Sequence, residues 1–278
     1  MIFEQQDTVI SNNQKFLDEH FNIQRRDLYA KRIAPEELHE NLAVKLAEEF
    51  WLELNDQPIP SKLSNNEKVN IFLTLWPYVL EKRKSKPPFQ FYKRYDVGQL
   101  KNDIFELNEN IWGISNKNMR PCSVHKNTQI IGNTVFPLYY NGDGVINVIK
   151  NGYMPRNIQL RIDQIISELE FDFNGKVLIS GITRLPVGNK IAIHVDDVYY
   201  FKIIKRFQIA IATNPNVIFN INDQARVFEE GECYEINNLL KHSIVNDGET
   251  DRINLIVDIL PWNRIKSYAM HFQERITL

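Results

Sequence analysis

Four residues in the last third of the chain carry side chains that could work on one reaction: His194 and Asp196, then His242, then Arg252. His194 and Asp196 are two apart in a strand-like apolar run, so their side chains leave the same face and can grip one ion together. Asp197 points the other way by the same alternation, which favours Asp196 as the carboxylate. A second, distant imidazole from His242 would complete a facial set of two nitrogens and one oxygen. Such a set leaves positions open on the far side of the ion and suits non-heme ferrous iron. Arg252 opens the apolar strand Arg252-Ile253-Asn254-Leu255-Ile256-Val257-Asp258. A guanidinium entering a core there is costly unless it meets an anion, and its planar fork fits a carboxylate through two hydrogen bonds. The anion is either a buried acid of the chain or a bound carboxylate ligand.

A histidine and an aspartate two apart are common by chance, and a lone histidine is more often an ordinary hydrogen-bonded residue than a ligand. The weight comes from the surroundings of His242. A strand-like run, Glu232-Cys233-Tyr234-Glu235-Ile236, and a turn-like Asn237-Asn238 precede it, and the next strand opens ten residues later on Arg252.

The elements that must position these residues fall into two regions. From Pro35 to Leu54 the residues Leu38, Leu42, Leu46, Phe50 and Leu54 recur at helical spacing, with Pro35 suited to a first turn. A second helix starts at Ser64, which with Glu67 three residues on matches a capping box, and runs through Val69, Phe72, Trp76, Val79 and Leu80. Pro77 should bend or interrupt it. Burial of these stripes is the expectation; a stripe left exposed would instead mark a dimer contact, and the oligomeric state stays open. The pattern breaks at Pro87-Pro88, giving a helical N-terminal region over 1–87 and a second domain over 88–278. The basic run Lys82, Arg83, Lys84 and Lys86 reads as a solvated helix end and linker.

After residue 88 come a strand from Phe89, a short helical segment with Leu100, Ile104 and Leu107, strands within 129–140, and a helical stripe of Ile158, Ile162, Ile165, Ile166 and Leu169. Short β runs punctuated by turn residues then fill 176–260. The class is mainly β with helical additions, α+β, its core a jelly-roll barrel or double-stranded β-helix with ligands projecting inward.

Composition narrows the rest. With 43% hydrophobic and 24% charged residues in 278, the chain is globular and long enough for a sizeable core. A net charge of −2 with both signs interspersed supplies no field for a phosphate backbone, so nucleic acid is not expected as a partner. Cys122 and Cys233 form no disulfide framework or CxxC pair. No leader-like or membrane-length apolar segment is visible, so no membrane association and a cytoplasmic location are expected.

The block from Ala225 to Asn238, then Lys241-His242-Ser243-Ile244-Val245-Asn246-Asp247, then Asp251 to Leu260 resembles the aspartyl/asparaginyl β-hydroxylase family in order and spacing. That family has a Glu-Glu-Gly turn, a strand, an acidic or amide pair, a metal histidine, and an arginine leading a strand that ends in aspartate. The resemblance spans roughly residues 175–262 and, faintly, 88–140 through the segment Arg120 to Thr128; residues 1–87 are outside it. It implies a double-stranded β-helix with His194 and His242 as Fe(II) ligands and Arg252 on the distal carboxylate of 2-oxoglutarate. It also implies co-substrate contacts for Arg206 and Thr183. Gln208 stands where the family has a histidine, a departure. Asp196 is a second: the namesake enzymes have a small residue there, whereas the branch similar to proline cis-hydroxylases keeps the acid. A retained carboxylate also argues against halogenation.

What the resemblance implies is hydroxylation of an unactivated C–H with 2-oxoglutarate and O2 consumed. The expected substrate is an amino acid or amino-acid-like small molecule; the alternatives are an Asp, Asn or Pro side chain in a protein or peptide, or a non-catalytic metal-binding module. His125 and Arg120 are candidate substrate contacts. Tyr199 and Tyr200, just after the ligands, could equally be packing.

Overall fold

The computed structural model describes residues 35–109, 112, 129–134, 139–140, 146–147, 155–196, 201–202 and 204–261. Among the described residues two long helices come first, α1 (Pro35–Asn55) and α2 (Asn65–Lys84). The Ser64 hydroxyl accepts from the Glu67 amide while the Glu67 carboxylate takes the Ser64 amide, a complete capping box that fixes where α2 begins. α2 continues through Pro77 without interruption. Pro77 lies on the exposed side, where a carbonyl freed by the missing N–H can turn to water. Leu46, Phe50, Phe72 and Val79 are buried together, with the rings of Phe50 and Phe72 stacked at 5.6 Å. The same cluster holds Leu178, Ile204 and Leu260 from beyond residue 88, so the helix pair shares a core with the β-rich region.

Among the described residues the remainder is built on two large antiparallel sheets. The strands are β1 (Phe89–Arg94), β2 (Gln129–Thr134), β3 (Tyr139–Tyr140), β4 (Ile146–Asn147), β5 (Gly175–Leu185), β6 (Lys190–His194), β7 (Lys205–Ala212), β8 (Val217–Ile221), β9 (Gln224–Arg226), β10 (Glu232–Ile236), β11 (His242–Asn246) and β12 (Arg252–Pro261). The major sheet runs β1-β10-β7-β12-β5-β2 and the minor sheet β6-β11-β8-β9, with β3-β4 a separate pair. This is the expected mainly-β architecture with helical additions. Helix α3 (Gly98–Phe105) is short, and Leu107 packs just past its end; α4 (Arg156–Asp172) carries the apolar stripe read from the sequence.

Alternation along the strands divides the core. Ile158, Ile162 and Leu169 of α4 pack against Phe207, Ile209, Leu255 and Val257 on the outer face of the major sheet. Leu185, Ala210, Tyr234 and Ile236 on its other face meet Ile191, Phe219, Ile221 and Ile244 of the minor sheet, closing the barrel. Gly231, in the Glu-Glu-Gly turn, has φ +83°, and a Cβ there would collide with the Tyr95 carbonyl. Its amide donates to Ala210 and its carbonyl accepts from Tyr95, so this close approach seats β10 between β1 and β7.

Candidate metal centre

His194 is the last residue of β6 and His242 the first of β11, and the two are direct partners in the antiparallel register. Pairing of the two strands therefore places two imidazoles side by side, with ring centroids 4.1 Å apart. Asp196 lies just past β6, where its amide donates to the Asn238 carbonyl at 3.2 Å. That bond ties the third candidate ligand to the turn leading into His242. One ligand atom from each of His194, Asp196 and His242 lies within 4.8 Å of the others. The Asp196 carboxylate is 3.8 Å from His194 Nε2 and 4.0 Å from His242 Nε2.

Each histidine is oriented by its own strand. His194 Nδ1 lies 2.9 Å from the Ala192 carbonyl and His242 Nδ1 2.9 Å from the Leu240 carbonyl, so Nδ1–H donates and Nε2 keeps its lone pair toward Asp196. Burial also holds His242 below the ordinary imidazole pKa, which favours the neutral, ligating form.

The carboxylate is fixed from behind. Arg206 Nη1 donates to Asp196 Oδ2 at 2.7 Å, while its Nε and Nη2 donate to the two oxygens of Asp258 at 2.7 and 2.8 Å. Asp258 is fully buried and sits directly opposite Arg206 across β7 and β12. Arg206, expected at the co-substrate, thus turns its fork to Asp258 and its remaining reach to Asp196. Sequence reasoning missed the role of Asp258; a lone acid on the inward parity of an apolar strand was the available signal.

Arg252 is 5% exposed, and its Nη2 donates to Gln208 Oε1 at 3.3 Å. Among the described residues no carboxylate pairs with it, and burial pushes its pKa down to about 10, which still leaves it charged at neutral pH. Gln208 is also held by Asn254 Nδ2, and Asn254 Oδ1 is buried without a partner among the described residues. Thr183, opposite Asn254 on β5, donates to the Asn254 carbonyl at 3.3 Å. Gln208 is two residues from Arg206 on the same face of β7, so the Arg252, Gln208 and Thr183 group adjoins the triad. This chemistry fits the groups expected there: three ligands for a divalent metal, and a buried cation whose missing counter-charge a bound carboxylate would supply. Arg120, His125, Asp197, Tyr199 and Tyr200 lie outside the described residues.

Residues 136–261 match the family described as aspartyl/asparaginyl beta-hydroxylase. The match takes in Thr183, His194, Asp196, Arg206, His242 and Arg252 and stops short of Arg120, His125 and the helical region. No curated protein matches the chain. An oxidoreductase of the 2OG-Fe(II) oxygenase family from Burkholderia pseudomallei is 9% identical, with 66% of this chain and 91% of that one covered at a TM-score of 0.42. A prolyl-4-hydroxylase from Pseudomonas putida is 10% identical over 66% and 97% at 0.41. A cupin domain from Bordetella pertussis is 14% identical over 31% and 90% at 0.25. These are distant likenesses. Barrel, triad and family match together define the class, a hydroxylase of the iron and 2-oxoglutarate oxygenase type. No helix among the described residues is long and apolar enough to cross a membrane.

Proposed function

We propose that the chain is an Fe(II)- and 2-oxoglutarate-dependent dioxygenase that hydroxylates an unactivated C–H of an amino acid or an amino-acid-like small molecule. The observation that carries this is Arg252: a buried guanidinium with no acidic partner among the described residues, on the sheet facing the strands that carry a two-histidine, one-carboxylate site. His194, Asp196 and His242 would hold the iron, and Arg252, steadied by Gln208, would take the distal carboxylate of 2-oxoglutarate. Thr183 would turn its hydroxyl from the Asn254 carbonyl to the same co-substrate. Arg206 we assign to positioning, since it grips Asp196 and is itself locked by Asp258.

Bound iron with 2-oxoglutarate and O2 supplies the oxidising chemistry: one oxygen atom enters the substrate as hydroxyl, the other enters succinate, and CO2 leaves. The chain contributes fixed ligand orientation and a low-dielectric anion clamp, terms that act before any chemistry and lower reorganisation during it.

Anaerobic addition of Fe(II) and then 2-oxoglutarate to the purified protein should produce a visible charge-transfer band. A folded, iron-loaded sample without the band overturns the assignment. Succinate release that tracks a free amino acid supports the substrate class proposed; release only with peptides moves the reading to side chains in proteins.

A further inference from the structure

One member of the basic run at the end of α2, Arg83, is not solvated, while its three lysines keep contact with water. Arg83 is 4% exposed, pairs with Glu53 at 2.6 Å and donates to the Lys202 carbonyl at 2.5 Å. It thereby helps build a small, open cleft of about 30 Å³, room for a carboxylate-sized group, between the end of α2, the segment around Phe201 and the β10–β11 turn. Three lysines line this cleft, Lys86, Lys202 and Lys205, against the single lining carboxylate of Glu235, which Lys205 and Lys86 reach at 2.8 and 3.7 Å. Among the described residues, lining cations therefore exceed lining anions.

Two features point this cleft toward a ligand and toward the metal centre. Asn238 lines it at 4% exposure, and its Nδ2 is buried without a partner among the described residues, an amide donor left for something absent from the chain's own hydrogen bonding. The Asn238 carbonyl meanwhile accepts from the amide of Asp196, the metal-ligand carboxylate residue. Phe201 forms another wall, and its ring lies 4.6 Å from the guanidinium carbon of Arg206, which holds Asp196. Cleft and triad thus share walls.

Resting on the hydroxylase reading, we propose that this cleft binds the carboxylate of the substrate, with Asn238 Nδ2 as the donor and the three lysines as the attracting field. The substrate class is then a small molecule with a free carboxylate, whose amide would be a poor ligand. Lys86, Lys202 and Lys205 steer the anion, and Asn238, whose own carbonyl anchors Asp196, fixes where the rest of the molecule lies relative to the metal.

The test measures binding to the metal-free full-length protein by titration calorimetry, so that it does not depend on turnover. The probes are the twenty amino acids, their C-terminal carboxamides, and inorganic phosphate. The expected result is that at least one free acid binds and its carboxamide binds at least tenfold more weakly. Asn238→Asp, which puts an anion in place of the donor, should weaken that acid at least tenfold. Lys86→Glu, at a partly exposed position, gives a second reading free of core disruption and should weaken it severalfold. Equal binding of acid and carboxamide, no binding by any acid, binding of phosphate alone, or wild-type affinity in both variants overturns the proposal. Each of these can occur with the charge-transfer band intact, which separates failure here from failure of the hydroxylase reading.

Discussion

On strand β12, Ile253, Leu255, Val257 and Ile259 pack beneath α4, while Arg252, Asn254 and Asp258, on alternate positions of the same ten residues, face the barrel interior. β7 repeats the division, with Phe207 and Ile209 outward and Arg206 and Gln208 inward. Both faces are buried, yet they answer to different physics. The outer face gains from area removed from water and tolerates small rearrangement. The inner face gains little net stability from its ion pair and amides, because desolvation offsets their attraction, but it holds each group in one geometry. The sheet therefore separates what keeps the protein folded from what arranges its chemistry.

The comparison breaks most severely at Arg206. Arg206→Met should strand the fully buried Asp258 without its counter-charge and cost about 4 kcal/mol in urea unfolding, with loss of Fe(II) affinity as Asp196 loosens. A cost under about 1 kcal/mol would mean that other partners or water satisfy Asp258, contrary to a desolvated inner face held by Arg206. Next comes Leu255→Ala on the outer face, expected to cost about 3 kcal/mol by leaving a cavity. The folded fraction of that variant should bind Fe(II) and 2-oxoglutarate as the parent does; changed affinities would show that the two faces are coupled.

Arg252→Leu tests the inverse. Two charge-assisted bonds to a carboxylate correspond to about 100-fold in 2-oxoglutarate affinity, while Fe(II) binding and unfolding free energy should stay near the parent values. Equal loss of iron and co-substrate would contradict the clamp role. The smallest effect concerns pH. His242 titrates below its unfolded value of 6.5 because burial disfavours the imidazolium, so near that value the unfolded chain binds more protons than the folded one. Stability of the metal-free protein should therefore be full above pH 6.5 and fall as pH drops toward the folded-state pKa, by at most about 1.4 kcal/mol per pH unit for one proton. His242→Gln should flatten that slope.

Much of this was legible from local pattern. Ser64 and Glu67 announce α2, the isoleucines of 158–166 announce α4, and the two-residue step from His194 to Asp196 places both on one side of a chain leaving β6. The step to Arg252 pointed to a buried guanidinium, and the structure buries it. The illegible part depends on register between distant strands. Nothing near Arg206 in sequence announces that Asp258, 52 residues on, lies opposite it, and nothing near Arg83 announces Glu53 or the Lys202 carbonyl. Charge runs read as solvated because exposure is their commonest fate; one partner across a tertiary contact reversed that for Arg83.

The Asn237 side chain bears on how the molecule comes apart. Its Nδ2 lies 3.1, 3.1 and 3.0 Å from the carbonyls of Arg83, Lys84 and Lys86, and its backbone amide donates to Pro88. One amide thus gathers the last carbonyls of α2, five residues ahead of His242, with the shared core of Phe50, Leu178 and Leu260 behind it. Helix pair and barrel should then melt as one cooperative unit with a single heat-absorption peak. Clipping the chain between them would not release an intact barrel but would slacken the turn that leads into His242.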